Sequence, residues 1–79
     1  MKSEEFAKSI GVRLKDLRKQ NKLGAYDVSS SCRITLEEYK HFEEGKKIPT
    51  LKQTIQIAEF YKLSLDDLIN PTNSASNAY

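Results

Sequence analysis

TLEEYKHFEEGKKIPTLKQ, running from Thr35 to Gln53, holds two helix starts and one helix stop at fixed separation. Thr35 followed three residues later by Glu38 is a capping box, in which each side chain satisfies a backbone N–H at the helix start, and Thr50 with Gln53 is a second. Gly45 can take the left-handed conformation that ends a helix, because it has no Cβ to clash there. Pro49 disfavours helical geometry at Ile48, immediately ahead of the second start. The stretch predicts a short helix over 35–44, a loop carrying Lys46 and Lys47, and a longer helix opening at Thr50.

On either side of it the apolar positions repeat at helical spacing. Phe6, Ile10, Leu14 and Leu17 make one stripe, opened by Ser3 as N-cap with Glu4 and Glu5 in the first turn, where the helix dipole favours acids. This predicts a helix over about 4–21, with Asn21 as its left-handed stop and Gly24 starting the next segment. Ala25, Val28 and Cys32 fall on one side of a short second helix, although Ser29, Ser30 and Ser31 are mediocre helix formers. Ile34, Tyr39 and Phe42 give the third helix its buried side, and Leu51, Ile55, Ala58 and Tyr61 do so for the fourth. Ser64, with Asp66 and Asp67 in the first turn, opens a brief fifth helix carrying Leu65, Leu68 and Ile69, which Asn70-Pro71 closes. Residues 1–69 thus read as one compact, all-α, five-helix domain, and 70–79, polar and without periodicity, as a disordered tail.

Composition narrows the class. With 79 residues there is room for one domain, whose burial is only marginally sufficient without a staple or a partner subunit. A single cysteine excludes an internal disulfide. Cys/His spacing suited to zinc is missing, no apolar run approaches membrane-spanning length, and the N-terminus reads as a charged helix rather than a signal peptide. A reducing cytoplasm is the expected compartment, with neither metal nor cofactor. Cys32 reads as a small buried hydrophobe. Paired with His41 it lacks a third orienting group, so no enzyme is expected.

The order of these signals resembles the phage repressor and Cro type of helix-turn-helix domain, also called the xenobiotic-response-element type, over about Ile10 to Ile69. The residues that carry it are Ile10-Gly11, Leu14, Leu17-Arg18, Glu43, Gly45, Pro49-Thr50-Leu51, Ile57-Ala58 and Ser64-Leu65-Asp66-Asp67-Leu68. The resemblance implies a helix-turn-helix unit at 24–44, and an ion pair between Arg18 and Glu43 that holds helix one to the end of the recognition helix. Departures are as informative. Family members usually begin helix two with Ser-Gln, which touch a phosphate and a base; Gly24 and Ala25 stand there. The turn between helices two and three usually carries glycine, but this chain has Arg33, so either Arg33 is strained or the turn takes another path. Ser29 replaces a small alanine, and Lys22 and Lys62 replace glycines after helices one and four.

Under the resemblance, the helix at 35–44 reads operator half-sites in double-stranded DNA. Thr35, Leu36, Glu37, Lys40 and His41 fall on it where relatives place base or phosphate contacts, Arg33 leads into it, and Lys46 and Lys47 lie in the phosphate-contacting loop. Each has a plainer reading. Leu36 suits a thymine methyl or is one exposed apolar residue, and Glu37, Lys40 and His41 suit a groove or a solvated helix face. Residues 24–44 hold two basic against five acidic groups, whereas 1–23 hold seven against three and 45–63 four against one. An acidic centre opposes nonspecific DNA binding, yet a glutamate such as Glu37 can accept from cytosine N4 while basic flanks hold the backbone.

Two functions follow. One is a sequence-specific DNA-binding transcriptional regulator, a repressor by resemblance, acting as a homodimer on two half-sites and paired near helix five through Phe60, Leu68 and Ile69. The other is a repressor-fold module that has lost DNA and binds a protein partner through Tyr26, Leu36 and the acidic residues.

Overall fold

The computed structural model describes residues 3–69, which form α1 (Ser3–Gln20), α2 (Ala25–Ser31), α3 (Leu36–Glu43), α4 (Leu51–Tyr61) and α5 (Leu65–Ile69), with no strand among the described residues. The tail expected at 70–79 lies outside them. Helix starts follow the local chemistry. Thr50 Oγ1 accepts the Gln53 N–H at 3.1 Å while Gln53 Oε1 accepts the Thr50 N–H at 2.9 Å, closing that capping box. The box at Thr35 closes on one side only. Its Oγ1 accepts the Glu38 N–H at 3.1 Å, but the Glu38 carboxylate turns away to Lys47 and Gln53. At the head of α2, Asp27 Oδ2 accepts the Gly24 N–H at 2.8 Å, and Gly24 has no side chain to reciprocate.

The ends of α1, α2, α3 and α4 share one motif. The N–H of Leu23, Ile34, Lys46 and Leu63 each reaches back five residues, to the carbonyls of Arg18, Ser29, His41 and Ala58 at 3.0, 2.8, 2.9 and 2.8 Å. This 6→1 bond requires a left-handed residue just before it. Gly45 supplies it after α3 at φ 74°; the others are Lys22, Arg33 and Lys62 at φ 57°, 61° and 59°. Asn21 is therefore not the left-handed stop of α1. Its side-chain Nδ2 instead donates to the Leu17 carbonyl at 2.8 Å, satisfying a last-turn acceptor while the chain reverses one residue later.

The helices enclose one core in which Leu14, Val28, Tyr39, Phe42 and Ile57 are buried almost completely. Its α4 side differs from expectation. Thr54, Ile57 and Ala58 are buried, whereas Leu51 is 69% exposed and Ile55 38%. The Thr54 hydroxyl donates to the Thr50 carbonyl at 2.8 Å, so a polar side chain enters the core with its hydrogen bond already made. α1 meets the end of α3 backbone to backbone: a Cβ on Gly11 would lie 2.6 Å from the carbonyl oxygens of both Phe42 and Glu43. Arg13 then fastens α5 to α1, donating from Nε to the Leu68 carbonyl at 3.0 Å and from Nη2 to that of Asp67 at 2.8 Å.

Candidate nucleic-acid interface

α2 and α3 are joined by residues 32–35, within which Arg33 has left-handed backbone. Each helix presents one face to the core and another to solvent. Val28 and Ser29 are the buried side of α2, leaving Tyr26, Asp27, Ser30 and Ser31 exposed; Tyr39 and Phe42 are the buried side of α3. The Ser29 hydroxyl, in the place of a small alanine, donates to the Tyr26 carbonyl at 3.1 Å and so tolerates burial.

The outward surface of α3 and its cap brings together Thr35, Glu37 and Lys40, all exposed, with Arg33 exposed in the turn before them. Leu36 and His41 lie at the margin, half-buried. Leu36 thus has less free surface for a thymine methyl than an outward-facing residue would. Lys46 and Lys47 extend from the loop after α3 and are exposed, but both have acidic neighbours. Lys46 Nζ lies 3.4 Å from Glu44, and Lys47 Nζ contacts Glu38. Glu38 also accepts from Gln53 Nε2 at 3.1 Å, so one carboxylate links α3, the loop and the first turn of α4. The Lys47 hydrogen bond leads in holding its pKa below the ordinary carboxylate value, against a partial desolvation. Gln53 could be recognised from sequence as a cap, but its contact with a residue fifteen positions earlier left no local signal.

Behind this surface, Arg18 anchors α3. Nε and Nη2 donate to Glu43 Oε2 and Oε1 at 2.7 and 3.1 Å, and Nη1 donates to the Leu23 carbonyl at 3.0 Å. The side chains are 17% and 11% exposed. Burial opposes the charge on Glu43, but the two hydrogen bonds from Arg18 and its positive charge outweigh it, leaving the pKa below its usual value. The Arg18 pKa is raised, chiefly by its hydrogen bond to Glu43. Beside the pair, burial first and the Glu43 charge after it make the Tyr39 phenol harder to ionise; Tyr61, mainly through burial, is pushed up to about 12. Burial likewise pushes the Cys32 thiol up to about 11, which leaves it an inert core residue.

The residues expected at a dimer contact do not share one face. Leu68 is only 3% exposed and belongs to the core of its own subunit, so it offers no surface to a partner; this corrects its assignment. Phe60 is half-buried, its ring stacked edge-on against Tyr61 at 4.9 Å, and it lines a groove with Arg33, Gln56 and Glu59. Ile69, also half-buried, lines a different cleft with Val12 and Arg13.

Among the described residues no helix is long and apolar enough to cross a membrane, and no group of His, Cys, Asp and Glu side chains could hold a metal ion. The family pattern of the helix-turn-helix domain matches residues 11–74. No curated protein and no solved structure matches the chain.

Proposed function

Because this chain belongs to the helix-turn-helix domain family, we propose that it is a transcriptional regulator of the repressor type that reads operator half-sites in double-stranded DNA with α3. The observation that carries this reading is the exposure of Thr35, Glu37 and Lys40 on a short helix. That helix lies between the Arg33 turn and the Lys46-Lys47 loop, and is fixed from behind by Arg18. In this role Glu37 reads a cytosine amino group, Lys40 a guanine edge or a phosphate, and Arg33, Lys46 and Lys47 phosphates. The protein acts without cofactor or catalysis, in a reducing cytoplasm suited to its free thiol, and as a homodimer matched to a two-fold operator. Selection of bound duplexes from a random library tests it. The expected product is an enriched inverted repeat, bound more tightly than random duplex at both low and high salt.

A second reading has its own observation. Tyr26 is 67% exposed at the start of α2, next to the acidic Asp27, where the family's DNA-touching glutamine is missing. A surface of this kind suits a protein partner. Absence of enrichment in the same selection, with duplex binding weak at low salt, would favour that partner-binding role over the first.

A further inference from the structure

The outward face of α4 is apolar at its middle and carries opposite charges at matched positions along one edge. Leu51 and Ile55 are exposed one turn apart. Lys52 and Glu59 are also exposed, and neither side chain forms a hydrogen bond or ion pair among the described residues. Seven residues separate them, which is two helical turns or about 10 Å, and a seven-residue step returns to nearly the same side of a helix. Midway between them stand Ile55 and Gln56. A face built this way is complementary to itself. When two copies of α4 lie antiparallel across a two-fold axis through that midpoint, Ile55 meets its own counterpart. Lys52 of each copy then comes level with Glu59 of the other, and Leu51 flanks the pair on the opposite edge.

We infer that a second copy of this chain docks on this face, joining α4 to α4 in antiparallel through Ile55 and Leu51, with the two Lys52 to Glu59 contacts fixing the register. The inference rests on the homodimeric part of the reading above and not on its DNA part. Charge complementarity is what selects the occupant. A parallel or shifted pairing sets Lys52 against Lys52 or leaves both charges unmatched, whereas the two-fold arrangement pairs both at once. Its position also explains why two residues that would complete a core stripe lie in solvent in one copy: Leu51 and Ile55 are covered only when a partner is present. The patch is small, so the dimer is weak and concentration-dependent.

Sedimentation equilibrium of the full chain without DNA, over a wide concentration range, tests this. Ile55→Glu should raise the dimer dissociation constant by about a hundredfold, because the substitution acts twice across the axis. Lys52→Glu alone and Glu59→Lys alone should each raise it severalfold by facing like charges, and the double exchange should return it to the wild-type range. Circular dichroism verifies folding of each variant, and all three positions are exposed. A dimer that is indifferent to Ile55→Glu, or in which the double exchange is no better than either single one, would place the contact elsewhere and overturn the inference. A wild-type chain that is monomeric throughout would also overturn it, while DNA selection by that monomer would leave the operator reading standing.

Discussion

Arg18 and Glu43 face each other through two parallel hydrogen bonds of 2.7 and 3.1 Å, and the remaining guanidinium nitrogen takes the carbonyl of Leu23. One side chain of α1 thereby holds both the last turn of α3 and the loop that leads into α2. Planar guanidinium geometry makes this possible, since a lysine ammonium cannot form the same forked contact.

Arg18→Ala should cost about 3 kcal/mol, because it leaves the mostly buried Glu43 carboxylate without its partner. For a domain of this size that is a drop in melting temperature of more than about 10 °C. Thermal unfolding followed by circular dichroism measures it; a curve superimposable on wild type would contradict the anchoring role.

Acid should weaken the fold through the same pair. Glu43 has its folded pKa below the ordinary 4.5, so its contribution is complete above that value and is lost as pH falls through the folded pKa. Denaturant titrations near neutrality, near 4.5 and well below it should show wild type and Glu43→Gln converging in stability at the lowest pH. A gap that stays constant across the range would assign the acid sensitivity to other carboxylates.

Lys22, Arg33 and Lys62 hold left-handed backbone that glycine adopts without a Cβ clash. Replacing each by glycine should stabilise the domain by about 0.5 to 1 kcal/mol, after allowing for the greater freedom of glycine in the unfolded chain. Chemical denaturation resolves changes of this size. Arg33→Gly should also weaken DNA binding if its side chain holds a phosphate, which the Lys22 and Lys62 variants should not do; equal binding by all three would remove Arg33 from the interface.

Lys46 and Lys47, both changed to Ala, should weaken binding to specific and random duplex alike and reduce the magnitude of the log-log salt slope by roughly 2. Fluorescence polarisation across a salt series provides the slope. Glu38 has to release Lys47 to a phosphate, so Glu38→Gln should bind random duplex more tightly than wild type. Lost discrimination with an unchanged slope would argue against phosphate contacts at these lysines.

What was legible in the sequence was what is encoded locally. Thr50 with Gln53 and the stop at Gly45 involve neighbours three to five positions apart, and the structure realises both. The buried side of α4 was ambiguous for a physical reason: residues 51, 55 and 58 and residues 54, 57 and 58 are both helically spaced. Hydrophobicity favoured the wrong set because Thr54 satisfies its hydroxyl within the helix. Long-range partners were illegible. Nothing beside Glu38 foretold Lys47 and Gln53, and Arg13 bonds to carbonyls more than fifty positions away. Of the candidate interface, the exposed run of α3 followed from its period, whereas the half-burial of Leu36 depends on neighbours that only the fold supplies.

The contact at Gly11 governs where α3 points. Between most helices, interlocking side chains absorb a small displacement by changing rotamer, and an added or missing methyl shifts the helices slightly. At Gly11 nothing deformable intervenes, because the backbone of α1 rests against the carbonyls of Phe42 and Glu43. Bond lengths and angles are far stiffer than side-chain torsions. The direction of α3 is therefore gauged by covalent geometry, and substitutions that loosen the core elsewhere will lower the melting point before they change that direction.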